Sequence, residues 1–241
     1  MKIRRFFVPL IIIFLAAGGT ASLAQGGDIF SYGSIPFGEG IGEIGDRTGE
    51  TLDRADYPDV TFLAHDAIIR QAETEAAAFF EPGIIASASP GAAYVWLDEK
   101  YAVKYLVGMS GNTRTGLFFF RSVPSAEGEL FIVHKRIRLS GRYRDIYDRI
   151  EESIRGRIGT VPESYDGTYY GGAIETYSML GFWFREDVTV LLQVRESRPQ
   201  SETSVVDYIY IDTRLWREYR RAAGGERRGE SGSLGGAMDS F

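Results

Sequence analysis

The 241-residue chain contains no cysteine. Disulfides, thiol nucleophiles, thiolate metal sites and thioether lipidation are therefore all excluded. Histidine is nearly as scarce. His65 and His134 are far apart in sequence and share no ligand spacing, so both read as structural rather than metal-binding residues, and no metal or cofactor is expected. Lysine occurs only at positions 2, 100, 104 and 135, which leaves arginine as almost the whole source of positive charge. Beyond the N-terminus no apolar run reaches the roughly 20 residues that span a bilayer. There is also no Gly-x-Ser-x-Gly elbow to present a serine nucleophile, so a hydrolase triad has no obvious seat.

What is present begins with a basic head, Lys2, Arg4 and Arg5, followed by an uncharged apolar run over residues 6–17 and small residues over 18–24. This is the pattern of an export signal. Ser22 and Ala24 place small side chains three and one residues before a cut, so residues 1–24 are expected to leave and the mature chain to start at Gln25. The alternative is an uncleaved N-terminal helix holding a scaffold at the membrane, and only then is the membrane a partner. The expected location is periplasmic or extracellular.

Removing residues 1–24 takes away three of the 27 basic residues and none of the 33 acidic ones, leaving a net charge of about −9. Residues 28–90 carry 12 acids against Arg47, Arg54 and Arg70, so this region accounts for the whole excess. An acidic exported chain is a poor nucleic-acid binder. With 44% hydrophobic residues it has the composition of a folded domain.

Periodicity predicts an α+β fold: a largely antiparallel sheet of about seven strands, covered on one face by an amphipathic helix over 143–158. In that helix Tyr143, Ile146, Tyr147, Ile150, Ile154 and Ile158 form one apolar stripe. Ser140 is the expected cap, Gly159 the terminator, and Pro162 stops continuation. A Gly-rich acidic lead-in over 25–60 contains a short helix near 39–45. A second helix is expected over 60–80, where Phe62, Ile69, Ala72, Ala76, Phe79 and Phe80 recur at helical spacing. Strands are expected over 94–97 and 101–107 as a hairpin, then over 117–121, 130–138, 173–177, 182–184, 188–196 and 205–211. The α+β domain spans 61–221 and ends in a short basic helix, and a tail over 222–241 reads as disordered.

Trp96, Leu97, Glu99, Tyr101, Val103, Tyr105 and Val107 echo Trp183, Phe184, Glu186, Val188, Val190, Leu192 and Val194 at an offset of 87, which raises the question of two related halves. The opening Ile35-Pro36-Phe37-Gly38, the strands, the helix ending Arg157-Ile158-Gly159 before Pro162, and the later strand pair with Trp183 resemble small exported bacterial α+β proteins of uncharacterised function. Many of those begin with Ile-Pro-(Trp or Phe)-Gly. The likeness covers residues 35–220 and implies the fold and an envelope location. It brings no catalytic residues with it.

Several groups invite a chemical role. Gly40-Ile41-Gly42-Glu43-Ile44-Gly45 matches a dinucleotide fingerprint as a string, but no strand precedes it, and Glu39, Glu43 and Asp46 would repel a pyrophosphate. It reads as a flexible lead-in or a helix entry. Asp98-Glu99 and Glu186-Asp187 suggest a carboxylate-dependent wall or peptide hydrolase, yet both pairs sit at turns, where water keeps a carboxyl from the raised pKa of a general acid. Tyr165, Tyr169 and Tyr170 on a Gly-rich loop, with Trp183 nearby, offer flat amphipathic faces to a ligand. Lys135, Arg136, Arg138, Arg142 and Arg144 form a basic stretch and Arg214, Arg217, Arg220 and Arg221 another, which either neutralise the acidic segment over 28–90 in the same molecule or meet an anionic envelope component. The resulting expectation is an exported, non-catalytic envelope protein that binds a protein or cell-wall component.

Overall fold

The computed structural model describes residues 31–32, 35–49, 51–63, 75–80, 84–86, 92–110, 112–171, 174–198 and 203–234. Residues 1–30, His65 and residues 235–241 lie outside them.

In chain order the elements are β1 (Ser31–Tyr32), β2 (Ile35–Pro36), α1 (Ile41–Thr48), β3 (Leu52–Arg54), β4 (Asp59–Leu63), α2 (Glu75–Phe80), β5 (Ile84–Ala86) and β6 (Ala92–Trp96). There follow β7 (Ala102–Ser110), β8 (Thr113–Phe120), β9 (Glu129–Ser140), α3 (Tyr143–Ile158), β10 (Glu163–Gly171), β11 (Ile174–Phe184), β12 (Val188–Arg198), β13 (Thr203–Asp212) and α4 (Thr213–Leu234). Eight strands form the main sheet in the order β10-β11-β12-β13-β9-β8-β7-β3, and every pairing in it is antiparallel. The fold is thus α+β with a large antiparallel sheet, as the periodicity predicts. Two meanders, β7-β8-β9 and β10 to β13, meet where β13 lies beside β9. The chain reaches the far edge of the sheet through α3.

The first face of the sheet is closed by α3 and α1. All six residues of the predicted stripe in α3 are buried, and they pack on Trp183, Val190, Leu192, Val194, Val206 and Tyr208. The helix ends at Gly159, whose φ of 78° is the left-handed conformation glycine adopts at no steric cost. Its start differs from expectation: Arg142 is the N-cap without a side-chain cap bond, because Ser140 is the last residue of β9. Gly181 opposite the helix is obligatory for a different reason. A Cβ there would lie 2.2 Å from the Tyr147 hydroxyl. Ile44 of α1 fills a smaller cluster with Val107, Leu117, Phe119, Leu130 and Val133, and Phe37 of the Ile-Pro-Phe-Gly opening joins the two clusters.

The second face is closed over part of its area by α4 and α2. Leu215, Trp216 and Tyr219 of α4 meet Phe120, Phe131, Leu191, Ile209 and Ile211, with Ala76 and Phe80 of α2 beside them. A bulge in β9 opposite Phe118 and Phe119 supplies Phe131 as an extra residue, so Phe131 and Ile132 both join this cluster. Trp216 donates its indole N–H to the Phe79 carbonyl at 2.9 Å, and Arg220 donates to the Ala78 and Phe79 carbonyls at the end of α2. The small sheet β4-β6-β5 adds Val60 and Val95 to the same core.

Four expectations are corrected. The helix over 60–80 is a strand at Asp59–Leu63, paired with β6, and a helix only at Glu75–Phe80, with 64–74 outside the described residues. Asp59 to Leu63 alternate as a strand does, and pairing with β6 outweighs the chance helical spacing of Phe62 with residues further on. Strands β6 and β7 do not form a hairpin. The turn between them, tied by Tyr101 and Ala102 N–H bonds to the Asp98 carbonyl, carries the chain from the small sheet to the large one. Strands β11 and β12, its counterparts at offset 87, pair directly, so the echo does not extend to equivalent topology. Finally, α4 runs past Arg221 to Leu234, so residues 222–234 are helical where disorder is expected.

Candidate functional site

The sequence-predicted aromatic set is not brought together. Residues 165–171 are not a loop but part of β10, the edge strand, paired along its length with β11. Tyrosine and threonine suit a strand, and the register alternates their faces. Tyr165 and Tyr169 align with Leu180 and Thr176 on the second face, where Tyr165 packs edge-on against Phe182 and donates its hydroxyl to Glu163. Tyr170 pairs with Glu175, on the alternate register. Trp183 is fully buried on the first face under α3 and belongs to the core, where no ligand reaches it.

The basic stretch divides for the same reason. Along β9 the alternation sends Lys135 to the first face, aligned with Tyr208, and Arg136 and Arg138 to the second. Burial pushes the Lys135 ammonium below its ordinary pKa. Arg142 caps α3, and Arg144 ion-pairs with Asp166 and lies 5.7 Å from the Tyr143 ring centre. Of the C-terminal arginines, Arg220 binds the end of α2, Arg214 pairs with Glu218 one turn on, and Arg221 reaches back to the Arg217 carbonyl.

The turn carboxylates and the glycine string also have local work. Asp98 accepts the Lys100 N–H at 2.9 Å, and Asp187 pairs with Arg185 at 3.0 Å, while Glu99 and Glu186 are exposed. Gly40 is the N-cap of α1 and donates its N–H to Glu43 at 3.3 Å, so the string is a helix start.

A different constellation emerges on the second face, where α4 gives way to polar side chains. One row across the strands reads Tyr165, Leu180, Gln193, Asp207, Arg136, Arg114, and the next reads Gly167, Ser178, Arg195, Val205, Arg138. At the centre lies Asp207, whose side chain is 0% exposed. Its Oδ1 accepts Arg136 Nε–H at 2.6 Å and His134 Nε2 at 2.9 Å. A carboxylate only accepts, so the imidazole proton facing it sits on Nε2. Asp207 Oδ2 is buried and, among the described residues, makes no hydrogen bond of normal geometry. It faces the Arg195 guanidinium at 3.4 Å. Beside this group Gln193 and Ser178, both fully buried, bond to each other at 2.9 Å.

Burial alone would raise the Asp207 pKa. The His134 hydrogen bond and the charges of His134, Arg195 and Arg136 outweigh it and hold the carboxyl below its ordinary value. Burial lowers the pKa of Arg195, against the pull of Asp207. The two rows carry four guanidiniums to one carboxylate, and Arg114 and Arg138 are exposed. Arg136 and Arg195 remain partly open, at 32% and 20% side-chain exposure. Such a surface holds fixed positive charge above an internal counter-ion, an arrangement suited to recognising an anion.

Only Arg136 and Arg138 of this set follow from reading the basic stretch. Asp207, Arg195 and Gln193 come from two other strands. Their signal is a charge inside the apolar run 205–211 and the polar residues alternating through 188–196.

Fold and site together describe an α+β protein with an eight-stranded antiparallel sheet and a polar, arginine-rich half-face. No protein-family model, curated protein or solved structure matches this chain.

Proposed function

We propose that this chain is an exported, non-catalytic envelope protein that binds a protein or cell-wall component on the polar half of the second sheet face. Export rests on the basic, apolar and small-residue sequence of residues 2–24. The observation that carries the binding reading is the network on Asp207. A fully buried carboxylate under partly open guanidiniums is costly to assemble for stability alone, since apolar residues of the same volume serve a core as well or better. An ordered, charged, two-row surface presents fixed donors to a ligand at little conformational cost on binding.

Two measurements test the reading. Cell fractionation with N-terminal sequencing is expected to recover the protein outside the cytosol, starting at Gln25. Recovery from cytoplasm with Met1 attached and no membrane association refutes export. Thermal denaturation of the purified protein is expected to shift upward with envelope extract or wall fragments and not with cytosolic extract. No selective shift refutes envelope binding.

A further inference from the structure

We propose that the ligand on this half-face is a phosphate-bearing polymer chain, held by Arg136, Arg138, Arg114 and Arg195. The proposal rests on the binding reading above and names its chemistry. A guanidinium carries planar N–H donors that match the oxygens of a phosphate. Arg136 and Arg138 are two residues apart on β9 and therefore about 7 Å apart along the strand, while Arg114 lies directly across from Arg136, about 5 Å away on β8. Arg195 is separated from Arg138 by β13 alone, where Val205 aligns with both. The positive charge is therefore spread as an array, and an array suits a ligand that repeats its anionic group.

Recess argues for a slim chain over a membrane surface. Arg136 and Arg195, drawn down onto the buried Asp207, are the least exposed of the four, whereas Arg114 and Arg138 are exposed. A flat lipid surface touches only charges that protrude. A single extended polymer settles between the outer pair and also reaches the inner pair. Asp207 is a positioning residue here: it fixes two guanidiniums in direction and neutralises only part of their charge.

The test is a titration of the purified full chain with inorganic polyphosphate, followed by calorimetry at several salt concentrations, with phosphatidylglycerol vesicles and polyglutamate as parallel arms. Binding to polyphosphate is expected to weaken with added salt, with a log–log slope of about −3 if four phosphates are contacted. Polyglutamate and vesicles are expected to bind at least tenfold more weakly. The double variant R114E/R138E changes only exposed positions. It is expected to lose tenfold or more in affinity with its melting temperature unchanged, whereas the charge-matched control R149E/R155E on α3 stays within twofold. Equal losses in both variants, equal affinity for polyglutamate, or binding to vesicles alone would each overturn the proposal. If polyphosphate fails while wall fragments still stabilise the protein, the phosphate assignment falls and the binding reading survives. If both fail, both are wrong.

Discussion

Asp207 lies at the centre of the polar half-face, between Gln193 and Arg136. Its carboxylate is wholly buried, and three cationic or proton-donating side chains converge on it from β9 and β12. Replacing it by Asn preserves shape but leaves two guanidiniums facing a neutral group. Removing one partner of a fully buried pair costs about 3 to 5 kcal/mol, and the partial exposure of both arginines reduces that, so Asp207→Asn is expected to lose about 2 to 3 kcal/mol in urea denaturation at pH 7. The sign of the pH dependence follows from the direction of the shift. The folded carboxyl titrates below its unfolded value of about 3.9, so its contribution is complete above that value and disappears as pH falls through the folded one. The gap between wild type and Asp207→Asn should therefore be present at pH 7 and narrow below about pH 4. A gap of the same size at pH 3 would show that the carboxylate charge is not what stabilises the site. This residue was hard to find by reading. An aspartate among Val205, Val206, Tyr208 and Ile209 marks a buried charge, but its partners lie over 70 positions away on β9 and 12 away on β12, where only strand pairing unites them.

Among the secondary elements, α3 was legible because its information is local. Six apolar residues on one stripe, charged residues elsewhere and a left-handed Gly159 at the end specify a helix and the face it buries. Ile150 lies mid-stripe and is 3% exposed against the Trp183 cluster. Ile150→Ala is expected to cost about 2 to 5 kcal/mol, read as a lower denaturation midpoint with unchanged slope, and Ile150→Asp should leave no folded protein. A folded Ile150→Asp variant of near-normal stability would mean that α3 does not close the sheet. Strands β4 and β10 were not legible for the opposite reason. Phe62 of β4 falls in a helical period with later residues by coincidence, and the Gly, Asp and Tyr of β10 look like turn chemistry. Both are strands because a neighbour presents unpaired backbone groups, β6 to the first and β11 to the second. The Ser140 cap failed on a boundary: β9 keeps pairing with β13 through Ser140, which pushes the helix start to Arg142.

In the whole molecule, the two helices that follow the meanders fall on opposite faces, and this division creates the site. Helix α3 leaves β9 and covers the first face, whereas α4 leaves β13 at Thr213 and turns onto the second, where the Thr189 and Thr213 hydroxyls bond at 3.2 Å. Because α4 starts at one end of the strands, it covers Ile209, Ile211 and Leu191; Leu180 and Tyr165 of the Asp207 row still belong to that cluster, while Gln193, Asp207, Arg136 and Arg195 lie outside it. The apolar half and the polar half of one face are thus one consequence of where the chain turns. Only the first three turns of α4 have a described share in the core, through Leu215, Trp216, Tyr219, Ala222 and Ala223. Past them come Gly224, Gly225, Gly229 and Gly232, each costing a helix about 1 kcal/mol relative to alanine, with no large apolar side chain before Leu234. A chain ending at Ala223 is therefore expected to fold with a melting temperature within a few degrees of the full chain. A chain ending at Asp212 strips the cover from Phe131, Phe120 and Ile209, frees the Phe79 carbonyl bound by Trp216 and Arg220, and should be recovered as aggregate. Circular dichroism melts and soluble yield of the two truncations decide the matter. A soluble, cooperatively melting product from the shorter one would mean that the second face stands without α4, and that the boundary between its apolar and polar halves has another cause.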